Sequence, residues 1–260
     1  MRIFETRFWK QDAASRDQKL ALLIAAAAQT EYYRDRVPGH RWKDEAALSR
    51  IEPATLRAFE ERPDQFRNPQ FTGQGLPPFR YPIDPAPYLT IVQEATQRAA
   101  RTDWIRSCAP AELDQLRERG LAAPLGLWRE LAAAPVPLRY PIVAFSGLRH
   151  GAMTQEDRDL FWDAFRVPVF EQFLGLAGEV LAEECQAHTG LHVRTEDTVV
   201  ETASGEMILT SLLNLKYPLL RLATGMLAEA DSSLCGCGKP GMRLTRVAAR
   251  PAAMFAAAGS

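Results

Sequence analysis

The stretch that decides the fold is "RYPIVAFSG", Arg139 to Gly147, read together with the chain that follows it to Gly175. A short apolar run closed by a glycine has the length and composition of a buried strand. Thr154-Gln155-Glu156 then opens a helix predicted over 155–165, with Thr154 as N-cap and acids in the first turn. "VPVFEQFLG", Val167 to Gly175, is a second short strand. Strand, helix and strand in that order predict an α/β chain.

Working outward, the N-terminal side reads as helical. Leu20, Leu23, Ile24, Ala27 and Ala28 recur near a 3.6-residue period, which predicts a helix over 13–36 ended by Pro38-Gly39. Shorter helical pieces follow around 45–50 and 53–62, and 63–88 is an irregular connection rich in Pro, Gly and Phe. Residues 88–101 and 110–133 are predicted as two further helices. On the C-terminal side, 191–201, 206–213 and "KYPLLRLAT", 216–224, read as strands, the second entered through the turn Ala203-Ser204-Gly205. The expected fold class is α/β. A helical N-terminal region over 1–87 precedes a mixed sheet with helices and hairpins over 88–260, the whole forming one compact unit.

Composition narrows the function classes. With 31 Lys+Arg against 32 Asp+Glu, the chain has no basic excess that would attract nucleic acid. The apolar run "LALLIAAAA", Leu20 to Ala28, is too short to span a bilayer. It also follows Glu5, Asp12 and Asp17, the wrong flank for a signal peptide. Neither nucleic acid nor membrane is an expected partner, and the expected location is the cytoplasm.

The four cysteines are too few for a disulfide scaffold in a chain of 260 residues. Two of them, Cys235 and Cys237, sit in one tight turn, "SSLCGCGKPGMRL", Ser232 to Leu244. A disulfide across one residue would be badly strained, and redox pairs usually carry two spacer residues. A third cysteine lies in "ECQAHTGLH", where Cys185, His188 and His192 share one short segment. Two ligands from a tight turn and two from a distant loop are a common way to build a tetrahedral zinc site, with Zn–S near about 2.3 Å and Zn–N near about 2.0–2.1 Å. Gly236 and Gly238 let the backbone turn its N–H groups towards thiolates. The expected cofactor is therefore one structural Zn²⁺, drawn from Cys185, His188, His192, Cys235 and Cys237. Cys185 pairs with His188 in a tighter clip or with His192 in a wider one, and the spacing leaves both open. The plainer alternative is a set of buried thiols beside two surface histidines. Cys108 stands alone as a small buried apolar group, and His40 and His150 as surface or loop residues.

"FRVPVFEQFLGLAGEVLAEECQAHTGLHVRTEDTVVET", followed by "GEMILTSLLNLKYPLLRLATGMLAEADSSLCGCGKPGMRL", resembles the phenylacetate-CoA ligase family of adenylate-forming, AMP-binding enzymes over about residues 140–255. "EYYRDRVPG" resembles the start of that family. The resemblance implies part of the N-terminal domain of such an enzyme, and a Cys/His/Cys/Cys zinc cluster. The family's chemistry joins a carboxylate to AMP and passes the acyl group to CoA.

That chemistry needs groups this sequence lacks. The family's phosphate loop is rich in Ser, Thr and Gly, and "FTGQGLPP" has neither the hydroxyls nor a lysine. In "FLGLAGE" Phe173 holds the family's aromatic place, but the Mg²⁺ carboxylate falls on Ala177, with Glu179 two residues late. The ribose-binding acid of Thr-Gly-Asp is here Met226, after Thr224 and Gly225. Ala252 and Ala253 stand where the hinge acid belongs, and the chain ends at Ser260 without the family's lid and its lysine. No catalytic residue is therefore assigned, and these losses weigh against binding of ATP, AMP or CoA. No Gly-x-Ser-x-Gly, Walker loop or His-Glu-x-x-His offers replacement chemistry. Arg221 matches a family arginine but is read as structural, and Trp128, Phe161, Trp162 and Phe165 as core. The expectation is a degenerate, zinc-binding relative acting as a binding or accessory protein. Its expected partners are another protein, a second copy, or an acyl or aryl small molecule. The alternative is a ligase component completed by a partner chain that supplies the phosphate loop and lid.

Overall fold

The computed structural model describes residues 15–37, 45–71, 80–81, 89–91, 98–99, 104–105 and 108–249. Among them the helices are α1 (Arg16–Ala27), α2 (Glu45–Leu48), α3 (Leu56–Glu61), α4 (Leu113–Leu116), α5 (Leu125–Leu131) and α6 (Gln155–Phe165). The strands are β1 (Ala54–Thr55), β2 (Arg80–Tyr81), β3 (Leu89–Ile91), β4 (Arg98–Ala99), β5 (Trp104–Ile105), β6 (Leu121–Pro124) and β7 (Ile142–Gly147). They continue with β8 (Val169–Leu174), β9 (Val180–Glu184), β10 (Leu191–Val193), β11 (Thr198–Ala203), β12 (Glu206–Ser211), β13 (Leu222–Asp231) and β14 (Arg243–Ala249). Two compact units divide the chain: Met1–Pro77 with Arg194–Gly225, and Pro78–Val193 with Met226–Ser260.

In the second unit β5, β3, β6, β7 and β8 run parallel, and β9, β10 and β14 then add antiparallel. The β7–α6–β8 crossover is the strand–helix–strand expected over 139–175, with the helix bounds 155–165 as expected. Its helix starts where Thr154 accepts the Asp157 N–H and the Asp157 carboxylate accepts the Thr154 N–H, a reciprocal cap. Arg129 on α5 grips Asp157 through both guanidinium arms, at 2.7 and 2.9 Å. All six residues of β7 are buried, as a parallel strand covered on both faces requires. Trp128, Phe161 and Phe165 fill the core between helix and sheet, with the Trp128 indole N–H on the Val143 carbonyl at 2.9 Å. Trp162, expected in the core, is 51% exposed, because it lies on the outer face of α6.

Two helical expectations are corrected. Residues 89–91 and 98–99 are strands, so 88–101 is not one helix; residues 92–97 lie outside those described. The span 110–133 is cut by β6, four buried residues, "LAAP", between parallel neighbours β3 and β7. Alanine favours helix in isolation, but here its small side chains suit a close-packed central strand, and Gly120 and Pro124 bracket it. The strand expected at 216–224 starts only at Leu222.

In the first unit, β11 and β12 form a hairpin with Thr198 opposite Ser211 and Ala203 opposite Glu206. Its turn residues Ser204 and Gly205 both have positive φ, 50° and 81°, as a two-residue turn compatible with strand twist demands. Strand β1 pairs in parallel with Leu222 and Ala223. Lys19 on α1 is buried against Asp197, Nζ to Oδ1 2.5 Å. Among the described residues no helix is long and apolar enough to cross a membrane.

Candidate metal centre

The loop after β9 carries Cys185, which is buried, and returns as β10 with His192 opposite Arg243 of β14. The turn between β13 and β14 carries Cys235 and Cys237 and is closed by the Gly238 N–H on the Cys235 carbonyl at 2.8 Å. The ladder β9–β10–β14 brings these two segments together. Gly190 makes the approach possible. With φ at 120°, a Cβ there would lie 2.5 Å from the Leu244 carbonyl oxygen.

The ligand atoms of Cys185, His192, Cys235 and Cys237 all lie within 4.8 Å of one another. Cys185 Sγ is 3.6 Å from Cys235 Sγ, and Cys237 Sγ is 3.4 Å from His192 Nε2. A zinc tetrahedron with normal bond lengths has S···S edges of about 3.8 Å and S···N edges of about 3.6 Å. Donor set and spacing both fit Zn²⁺. The Cys237 N–H and the Thr189 hydroxyl, 3.4 Å away, favour the Cys235 thiolate and pull its pKa down to about 5. Burial pushes the Cys185 thiol up, and the Ala187 N–H works against it.

His188 is not in the cluster. It sits in the left-handed region, φ 49°, and its Nδ1 lies 3.0 Å from Glu184 Oε1, with its ring against Phe170. Four of the five residues singled out from the sequence thus converge, and His192 is the histidine among them. Cys108 is a core residue, as expected, and His150 lies in the turn after β7, also as expected. His40 lies outside the described residues.

Arg243 is the residue the sequence did not flag. It is buried, donating to Thr189 Oγ1 at 2.7 Å, the Thr189 carbonyl at 3.2 Å, Asp231 Oδ2 at 2.8 Å and Ser233 Oγ at 3.1 Å. It ties both ligand-bearing segments to one guanidinium. Arg243 is paired with Asp231 and reaches the cluster through the Thr189 hydroxyl, which also lies 3.4 Å from Cys235 Sγ, so its role there would be to orient the segments that hold a metal. Nothing in a lone arginine after a turn marks it as buried.

The residues that the sequence resemblance matched to nucleotide-binding positions make the following contacts. Glu179 folds back over Gly175 and accepts the Ala177 N–H at 2.9 Å, so its carboxylate serves the turn. The end of β7 is closed by two hydrogen bonds between Gly147 and Gly151, 2.8 Å each, and is tied to the neighbouring strand end by Leu148 N–H to the Leu174 carbonyl and Arg149 Nε to the Leu176 carbonyl. Met226 is buried. Arg221 bonds Glu201 at 2.9 Å and the Ser49 and Ile51 carbonyls, a structural use. "FTGQGLPP" beyond Phe71, and Ala252 and Ala253, lie outside the described residues.

No protein-family model matches the chain, and no curated protein matches it. Solved structures do. The open conformation of 2-hydroxyisobutyryl-CoA ligase, in complex with 2-HIB-AMP and CoA, superposes with a TM-score of 0.61 at 12% identity, over 90% of this chain and 69% of that one. The same ligase in the postadenylation state with R3-HIB-AMP gives 0.62 at 12% identity, over 90% and 67%. At such identity the likeness is one of fold, so the chain has an α/β fold resembling part of an adenylate-forming CoA ligase, with a Cys₃His cluster built into it.

Proposed function

We propose that this chain is a zinc-binding relative of the phenylacetate-CoA ligase type whose adenylating chemistry has been lost, and that it acts as a binding or accessory protein. The observation that carries the reading is the pairing of two facts in one unit. The Cys185, His192, Cys235, Cys237 cluster has the spacing of a closed tetrahedral site. Glu179, two residues in sequence from the expected Mg²⁺ carboxylate position, accepts the Ala177 N–H of its own turn.

The zinc is structural in this reading. Four protein donors leave no open position for water or substrate, so the ion does no Lewis-acid chemistry. It clips the 185–192 loop to the 235–237 turn. Zinc-finger peptides gain about 10–16 kcal/mol from such sites, and a unit with its own core depends on the ion less. Methionine at 226 offers ribose hydroxyls only a weak thioether acceptor in place of a carboxylate, and stripping those hydroxyls of water without replacing the bonds is unfavourable.

ATP–pyrophosphate exchange, assayed with a panel of aryl and acyl acids on zinc-loaded protein, tests the proposal. No exchange above background is expected. Turnover by the isolated chain overturns it, and turnover only with a second chain present supports the reading as a ligase component instead.

A further inference from the structure

A cavity of about 1170 Å³ opens beside the metal cluster, within the same unit. One wall is α6: Gln155, Arg158, Asp159 and Trp162 recur at helical spacing along the face turned towards it, with Glu156 at its rim. The facing wall is β14, and here the lining is unusual. Six consecutive residues, Leu244 to Ala249, border the space. Neighbouring residues of a strand point to opposite faces, so an unbroken run lines a cavity only where the strand presents its edge.

The pairing agrees. On one side β14 is paired with β13 from Met226↔Ala249 to Asp231↔Arg243. On the other side β10 covers only Arg243 and Leu244, and Gly190 packs against Leu244 and Thr245. Among the described residues no strand pairs with Arg246–Ala249 on that side. A bare edge is a template for another strand. The charge of the space selects what can fill it. The buried acids of the lining have partners: Arg158 pairs with Glu171 and Glu184, His188 also lies 3.0 Å from Glu184, and Arg246 pairs with Glu229, so the charge left to an occupant is that of the exposed acids of α6. Glu156 and Asp159 stand exposed on α6, and among the described residues no cation pairs with them. Trp162, half exposed on the same wall, offers an aromatic face for a side-chain cation.

We propose that this cavity is a docking groove in which an extended, lysine- or arginine-bearing segment of a partner protein adds as a strand to Arg246–Ala249, with its basic side chains towards the acidic face of α6. Backbone pairing supplies affinity and the acids supply selectivity, the usual division in strand addition. Four residues of open edge span about 13 Å, enough for one short peptide strand.

The test uses fluorescence anisotropy on zinc-loaded full chain, with a labelled peptide alternating valine and lysine. Saturable binding is expected, about tenfold or more tighter than for the valine–glutamate counterpart, and weakened about tenfold in Glu156→Lys/Asp159→Lys. The lysine peptide N-methylated at alternate amides should not bind, and hydrogen exchange at Arg246–Ala249 should slow when the unmodified peptide is present. Equal binding of the methylated peptide, displacement of the peptide by spermidine at matched charge concentration, or unchanged exchange at Arg246–Ala249 each overturns the proposal.

Discussion

The Tyr33 hydroxyl and the backbone of Leu220 satisfy each other completely. The hydroxyl donates to the Leu220 carbonyl at 2.9 Å and accepts the Leu220 N–H at 3.0 Å. Both residues are buried, and burial pushes the Tyr33 pKa above the usual tyrosine range, so it remains a donor. Tyr33→Phe leaves two backbone groups without partners and should cost about 1–3 kcal/mol in urea unfolding. A loss under about 0.5 kcal/mol would show that water replaces the hydroxyl freely.

The metal centre makes separable demands on its residues. Metal analysis of protein purified without added zinc should give about one equivalent per chain. Cys185→Ser and Cys235→Ser should lose it, whereas His188→Ala should retain it, since His188 faces Glu184. Zinc loss in His188→Ala would place that histidine in the ligand set after all.

Arg243→Ala removes the contacts to Thr189, Asp231 and Ser233 without touching a ligand. Competition with a chromogenic chelator should show zinc affinity reduced about 10–100-fold. Unaltered affinity would mean that the two segments hold their positions without it.

A half-buried histidine and a buried glutamate pull the pH dependence in opposite directions. Burial, aided by Arg149, holds the His150 pKa down at about 4 against an ordinary 6.5. Below 6.5 the unfolded chain takes up a proton that the native state refuses, so this stability is present above 6.5 and is lost as pH falls towards 4. Burial raises Glu171 to about 7 from 4.5, with Ser146 and Arg158 opposing. The native state keeps a proton that the unfolded chain releases, so this contribution is lost as pH rises from 4.5 towards 7. Between 4.5 and 6.5 the two slopes offset. Glu171→Gln removes one, and its stability should rise across that window by at most about 1.4 kcal/mol per pH unit relative to wild type. Parallel wild-type and variant curves would reject the opposition.

Lys19 and Asp197 form a buried ion pair. Lys19→Met leaves the buried Asp197 carboxylate with only the more distant Arg194, 3.8 Å away, and should cost about 2–4 kcal/mol, while Lys19→Met/Asp197→Leu should recover most of it. Equal losses in the single and double variants would mean that packing, not charge, sets the cost.

The sequence disclosed what local chemistry controls. The β7–α6–β8 crossover could be read because its strands are continuous apolar runs and its helix carries its own cap at Thr154. The turn at Ser204-Gly205 was visible for a similar reason. Strand β6 could not be seen, because "LAAP" is strand only by virtue of the parallel neighbours that bury it. The same contrast divides the metal centre. Cysteine spacing marked three members of the cluster, but choosing between His188 and His192 depends on which way each ring is turned. His188 is turned away by its left-handed backbone, and His192 is placed by a ladder with β14. Arg243 matters through burial, which one position in a sequence does not record.

The metal ligands also carry an order in time. Cys185 and Cys235 are 50 residues apart. During synthesis Cys185 and His192 leave the ribosome first, as half of the donor set, before the turn that carries the remaining two. A chain interrupted before Cys237 has an incomplete donor set. If the cluster holds zinc, retention of the ion reports that translation has passed Cys237, and a zinc assay on nascent chains would time that moment.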